Sequence, residues 1–195
     1  MISGASADRD RRIEFLCRAI DVSMELESDC ISLWSGAADD DAEHEVVFDR
    51  LLESLQAVLA HAEIHDVPVA FEPEPGMFIE RMDQFDRLYQ AVDHPLFGLT
   101  LDVGHVHCLA DGDLLSHLQR WSSVLLNVHL EDMRHGTHEH LFFGEGQMNF
   151  TEVIGMLSAA EYRGAVHVEL SRHSHEAPEV AARAYEFLSA LWPTT

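Results

Sequence analysis

The chain has 195 residues, 47% of them hydrophobic: enough to bury one core of ordinary size, with no apolar run of the length that crosses a bilayer. Its 35 acidic against 12 basic side chains give a formal charge of −23, which repels phosphate backbones and argues against nucleic acid as a partner. Cys17, Cys30 and Cys108 are widely spaced and never CxxC, so neither a disulfide framework nor a thiolate zinc cluster is expected, and MISGASADRDRR lacks the apolar core of a secretion signal, so the expected location is cytoplasmic.

In chain order, apolar residues at three- and four-residue spacing predict a helix in DRRIEFLCRAIDVSMELE (10–27), and CISLWSG (30–36) then reads as a strand. A second helix, FDRLLESLQAVLAHAEIH (48–65), leads to the strand VPVAFEP (67–73), and MDQFDRLYQAV (82–92) leads to FGLTLDV (97–103). DLLSHLQRW (113–121) precedes the strand VLLNVHLE (124–131), and NFTEVIGMLSAAEY (149–162) precedes AVHVELS (165–171). PEVAARAYEFLSALW (178–192) closes the series as a helix. Strands that alternate with helices in this way imply an α/β domain around a parallel sheet, with the site built by the loops after the strands' C-terminal ends. The whole chain reads as one domain, 1–195.

Four of the five strands end in a side chain able to hold a metal: Glu72 after VPVAF, Asp102 after FGLTL, His129 after VLLNV and Glu169 after AVHV. Polar residues that merely mark where a strand meets solvent would include Asn, Ser, Lys and Gly at least as often. Three carboxylates and one imidazole form an oxygen-rich set that favours Mn²⁺, Mg²⁺ or Co²⁺, with Zn²⁺ also compatible. Without a cation, three converging carboxylates would repel one another. Seven of the 14 histidines fall between His105 and His140, a density that points to metal binding or proton transfer.

The ordered series FEPEPG, LDVGH, VHLEDMR, FGEGQMNF and HVEL resembles the xylose isomerase-like TIM barrels of the sugar phosphate isomerase/epimerase superfamily. The resemblance implies that Glu72, Asp102, His129 and Glu169 are the metal ligands. It also implies that Glu72 and Glu169 are the catalytic acid/base pair, moving a proton beside a carbonyl through an enediolate. In LDVGH it gives His105 a contact with substrate oxygens, Gly104 being read as the residue that allows a sharp turn there. Arg134 in VHLEDMR is a candidate substrate-binding residue through its fork of donors, the alternative being a salt bridge to Glu131 or Asp132. Trp34, at another strand end, is a candidate stacking face for sugar carbons, the alternative being a core tryptophan. His135, His138 and His140 are read as loop residues, with a second metal site as the alternative.

A barrel of this type has eight strands and about 250 residues. Matching the ligands to the family makes VPVAFEP the fifth strand and MISGASADRDRR the tail of a third, so the expectation is a partial (β/α) barrel of five parallel strands lacking the first two to three. Such a sheet would need its edges covered, by a second copy or a complementing chain. The leading functional expectation is a divalent-metal-dependent isomerase or epimerase acting on a small ketose, polyol or hydroxy-carbonyl compound. The competing ones are a non-catalytic metal-binding subunit and an endonuclease IV-like phosphodiesterase, the last disfavoured by the missing basic face.

Overall fold

A computed structural model of the chain describes residues 1–192. They form two compact units, one of residues 1–100 with 124–126, the other of residues 101–123 and those from 127 onward.

The first unit holds α1 (Ser6–Glu25), β1 (Ile31–Leu33), α2 (His44–His65), β2 (Val69–Phe71), α3 (Met82–Val92) and the start of β3 (Phe97–Asp102). β1 and β2 pair in parallel with Ile31 opposite Val69, and β2 pairs with β3 with Val69 opposite Phe97. Every residue of β3 is buried, which is why FGLTLD reads as a nearly continuous apolar run. The core gathers Phe71, Phe85 and Phe97, with ring centroids 6.0–6.2 Å apart, and α2 adds Leu51, Leu55 and Val58. Gly98 is demanded by packing: a Cβ there would lie 2.5 Å from the Val124 carbonyl oxygen and 2.7 Å from Leu126 Cδ1. Asp66 and Asp93 end α2 and α3 in the left-handed region, at φ 54° and 42°, which a short polar side chain tolerates.

The second unit holds α4 (Val103–Leu109), α5 (Leu114–Trp121), most of β4 (Leu125–Leu130), β5 (Asp132–Arg134), β6 (Thr137–Leu141), α6 (Phe150–Ala159), β7 (Val166–Val168), a 3₁₀ turn (Ser171–Glu176) and α7 (Ala177–Leu191). β4 and β7 pair in parallel with His129 opposite His167. Three helices start on side-chain caps: Asp102 accepts from the His105 N–H, Asp113 from Ser116 and Asn149 from Glu152. Phe143 stacks on Phe187 of α7, and Phe150 of α6 meets both rings edge-on.

β3 and β4 each begin in the first unit and end in the second, and the five main strands are hydrogen-bonded in the order β1-β2-β3-β4-β7, the α/β arrangement expected from the sequence. Two segments differ from their sequence reading. VGHVHCL, expected as a turn, is the helix α4, because the Asp102 carboxylate caps it as soon as β3 ends. RHGTHEH, expected as loop, is part of the antiparallel hairpin β5–β6, turned at Gly136 with φ 71°.

Phe85 is fully buried and in contact with three aromatic rings. Phe85→Ala should cost about 3–5 kcal/mol, read as a lower denaturant midpoint at unchanged m-value.

Candidate metal centre

The end of β3 and the start of α4 place Asp102 at the base of the second unit's polar cluster, 2% exposed. One carboxylate oxygen, Oδ1, accepts the His105 backbone N–H at 2.9 Å and caps α4. The other, Oδ2, is buried without a hydrogen-bond partner among the described residues. It lies 3.8 Å from His105 Nε2 and 4.0 Å from His129 Nδ1. A buried carboxylate oxygen in that condition costs free energy unless a proton or a cation completes it.

His129 projects from β4, and its Nδ1 donates toward Glu169 Oε2 at 2.9 Å. Asp102, His129 and Glu169 thus each present a ligating atom within 4.8 Å of those of the other two. The far edge of the His129 ring is held from β4 itself. Asn127, two residues earlier on the same strand face, sits with Nδ2 2.9 Å from His129 Nε2, and its Oδ1 is 2.6 Å from His167 Nδ1 on β7. Such an outer hydrogen bond fixes ring orientation and turns Nδ1, rather than Nε2, toward Asp102 and Glu169. Asn127 was not singled out in the sequence; its signal there was the two-residue spacing to His129.

Beside this group, the hairpin brings His138 and His140 to His105. His138 Nε2 is 3.2 Å from His105 Nε2, and the three ring centroids are 4.9–5.9 Å apart. Burial, reinforced by the neighbouring His105 and His140, lowers the His138 pKa to about 4, and burial lowers His140 as well. At neutral pH both rings are therefore uncharged and keep a lone pair for coordination. Glu169 is held below its ordinary range by the hydrogen bond from His129, against an opposing effect of burial.

The other residues singled out in the sequence are placed as follows. Gly104 sits inside α4 rather than in a turn, and it is required by close approach: a Cβ there would be 1.9 Å from Glu131 Oε1. Asp132 is buried and accepts the backbone N–H groups of Gly144, Gly146 and Met148 at 2.8–3.1 Å, so it ties down the glycine-rich loop. Arg134 pairs with Glu139 at 2.9 Å and donates to the Glu145 carbonyl at 2.9 Å, which ties it along the hairpin. His107 stacks on His135 with centroids 4.0 Å apart. The two line a cavity of about 420 Å³ with Val106, Met148 and Glu152, and none of Asp102, His129 or Glu169 lines it. Glu72 and Trp34 belong to the first unit. Glu72 follows β2 at 3% exposure, its N–H donating to the Leu33 carbonyl at 2.8 Å, and Trp34 is 40% exposed with the Arg12 guanidinium 5.7 Å from its ring centroid.

The inosose dehydratase of Lactiplantibacillus plantarum is 26% identical over 160 residues, 72% of this chain and 53% of that protein. Among solved structures, a D-tagatose 3-epimerase-like protein superposes with a TM-score of 0.77 at 21% identity, covering 97% of this chain and 74% of that one. The IolI protein, solved with a bound zinc atom, superposes with a TM-score of 0.73 at 18% identity, covering 93% and 70%. The chain spans about half the length of the curated relatives it matches. The family described as xylose isomerase-like TIM barrel matches residues 1–191, and the chain belongs to it.

Proposed function

We propose that this chain carries the metal centre of a sugar isomerase or epimerase that removes a proton from the carbon beside a carbonyl. The observation that carries this reading is the buried Oδ2 of Asp102, without a hydrogen-bond partner among the described residues and facing His129 and His105. Asp102, His129 and Glu169 fit a divalent cation in charge and donor type, and Glu72 is assigned as a fourth ligand from its place in the FEPEPG motif. The carboxylates favour Mn²⁺, Mg²⁺ or Co²⁺, while the zinc in the IolI neighbour supports Zn²⁺. When bound, the ion supplies Lewis acidity toward the substrate's carbonyl and hydroxyl oxygens.

The residues themselves would do the rest. Glu169, kept ionised by His129, is the base that takes the proton from carbon, and Glu72 is its counterpart for proton return. Asn127 holds His129, and through it the Glu169 carboxylate, in one orientation. His105 is assigned to a substrate oxygen, Arg134 to the rim and Trp34 to the sugar carbons. The dehydratase relative and the epimerase-like neighbour support a polyhydroxy ketone as substrate, because loss of a proton beside a ketone begins both elimination and epimerisation.

Incubating the chain with Mn²⁺ and an inosose or ketose in D₂O should incorporate deuterium at the carbon next to the carbonyl, read by proton NMR. Glu169→Gln should abolish incorporation and weaken Mn²⁺ binding. Metal binding with no exchange on any polyhydroxy ketone would assign a binding role instead. Asn127→Ala should weaken metal affinity about 10- to 100-fold without unfolding the chain, measured by calorimetry.

His138 supplies a pH signature. Its folded pKa of about 4 lies below the ordinary 6.5, so the unfolded chain binds the extra proton between those values. The stabilisation is fully present above pH 6.5 and is lost as pH falls toward 4. Thermal melts in chelator should therefore show Tm dropping across that window, and His138→Asn should flatten the drop.

A further inference from the structure

The first unit carries a second group of metal-capable side chains, unrelated to the centre just described. His61 and His65 are one turn apart in the last turns of α2, and Asp21 lies in the last turn of α1. Both imidazoles converge on one carboxylate oxygen. His61 Nε2 is 2.7 Å and His65 Nε2 3.4 Å from Asp21 Oδ1, and one ligating atom from each of the three lies within 4.8 Å of the others. From this juxtaposition we infer a site for a zinc-class divalent cation that staples α1 to α2.

Several physical features support it. A cation bonded at about 2.0–2.1 Å in a tetrahedron sets neighbouring ligand atoms about 3.4 Å apart. The His65–Asp21 separation already has that value, and the His61 contact has only to open from hydrogen-bond length by about 0.7 Å. Two imidazoles at i and i+4 on one helix face present nitrogen donors to the same point, and an N₂O set selects Zn²⁺, Co²⁺, Ni²⁺ or Cu²⁺ over Mg²⁺ and Ca²⁺. The side chains are 26–47% exposed, so ions reach them from solvent.

The helix ends add an electrostatic reason. α1 leads directly into β1 and α2 into β2, and these strands are parallel neighbours, so both helices bring their C-termini to the same end of the strands. The partial negative charge of each C-terminus favours a cation there, within a chain whose net charge is −23. That end is opposite the strand end that carries Glu72. In an α/β barrel it is the end where stabilising rather than catalytic features sit. α1 packs on α2, and Ile20 on α1 and Val58, Leu59 and Ala62 on α2, near the ligands in sequence, are all buried.

The test is Zn²⁺ titration of the full chain by calorimetry, paired with thermal melts, in wild type, His61→Ala/His65→Ala and Asp102→Asn/Glu169→Gln. The expected result is that the histidine variant binds one fewer zinc than wild type, whereas the Asp102/Glu169 variant keeps that zinc and its Zn²⁺-dependent rise in Tm, which Mg²⁺ does not give. Should the histidine variant lose its fold, Asp21→Asn retains hydrogen-bonding capacity toward both rings and should weaken this zinc at least tenfold with the metal-free Tm unchanged. Unchanged zinc stoichiometry and affinity when these three residues are altered would overturn the inference and leave Asp21 as a hydrogen-bonded clamp. Loss of metal only in the Asp102/Glu169 variant would do the same while sparing the proposed function.

Discussion

A carboxylate with one oxygen hydrogen-bonded and the other without a partner among the described residues organises the second unit. Asp102 is carried into the interior by β3, a strand buried along its whole length, and its Oδ1 is consumed in starting α4. The cap fixes the side chain's rotamer, so Oδ2 is aimed without freedom toward the imidazoles of His105 and His129. Desolvating an anion in this way is unfavourable by itself. The nearby His138 and His140, whose pKa values burial lowers, and the ionised carboxylate of Glu169 turn that cost into a demand for a cation.

The same economy appears in the supporting residues. Gly104 is small because Glu131 passes against it, and Asp132 spends its carboxylate on three loop amides, which sets the approach to α6. His129 is held on both ring edges, by Glu169 on one and Asn127 on the other, so its orientation does not depend on a bound ion. A centre built on strand ends and locked by such contacts is preorganised, as the proposed proton transfer at carbon would require of its base.

The two groups of metal-capable residues differ in the physics that assembles them. Asp102, His129 and Glu169 come from strand ends, and the first two are drawn largely out of water while Glu169 stays partly exposed. Asp21, His61 and His65 come from helix surfaces and sit half in solvent, where the helix termini supply the field.

Much of this was legible in the sequence. Period-3.6 and apolar-run patterns fixed the alternation of helices and strands, because amphipathic helices and doubly buried strands differ in hydrophobic spacing whatever surrounds them. MDQFDRLYQAV, for instance, is helical over the whole stretch read as helix, 82–92. The strand-end positions of Asp102, His129 and Glu169 were equally visible, since each follows directly on an apolar run. What only the tertiary structure decided were contacts between segments distant in the chain. A capping carboxylate made VGHVHCL a helix, pairing with β5 turned THEHL into a strand, and that pairing carried His138 and His140 to His105. Asn127, the partner of Arg134 and the convergence of α1 and α2 on Asp21 were hidden for the same reason: local sequence encodes propensity and periodicity, whereas a side chain's hydrogen-bond partner is set by packing across tens of residues.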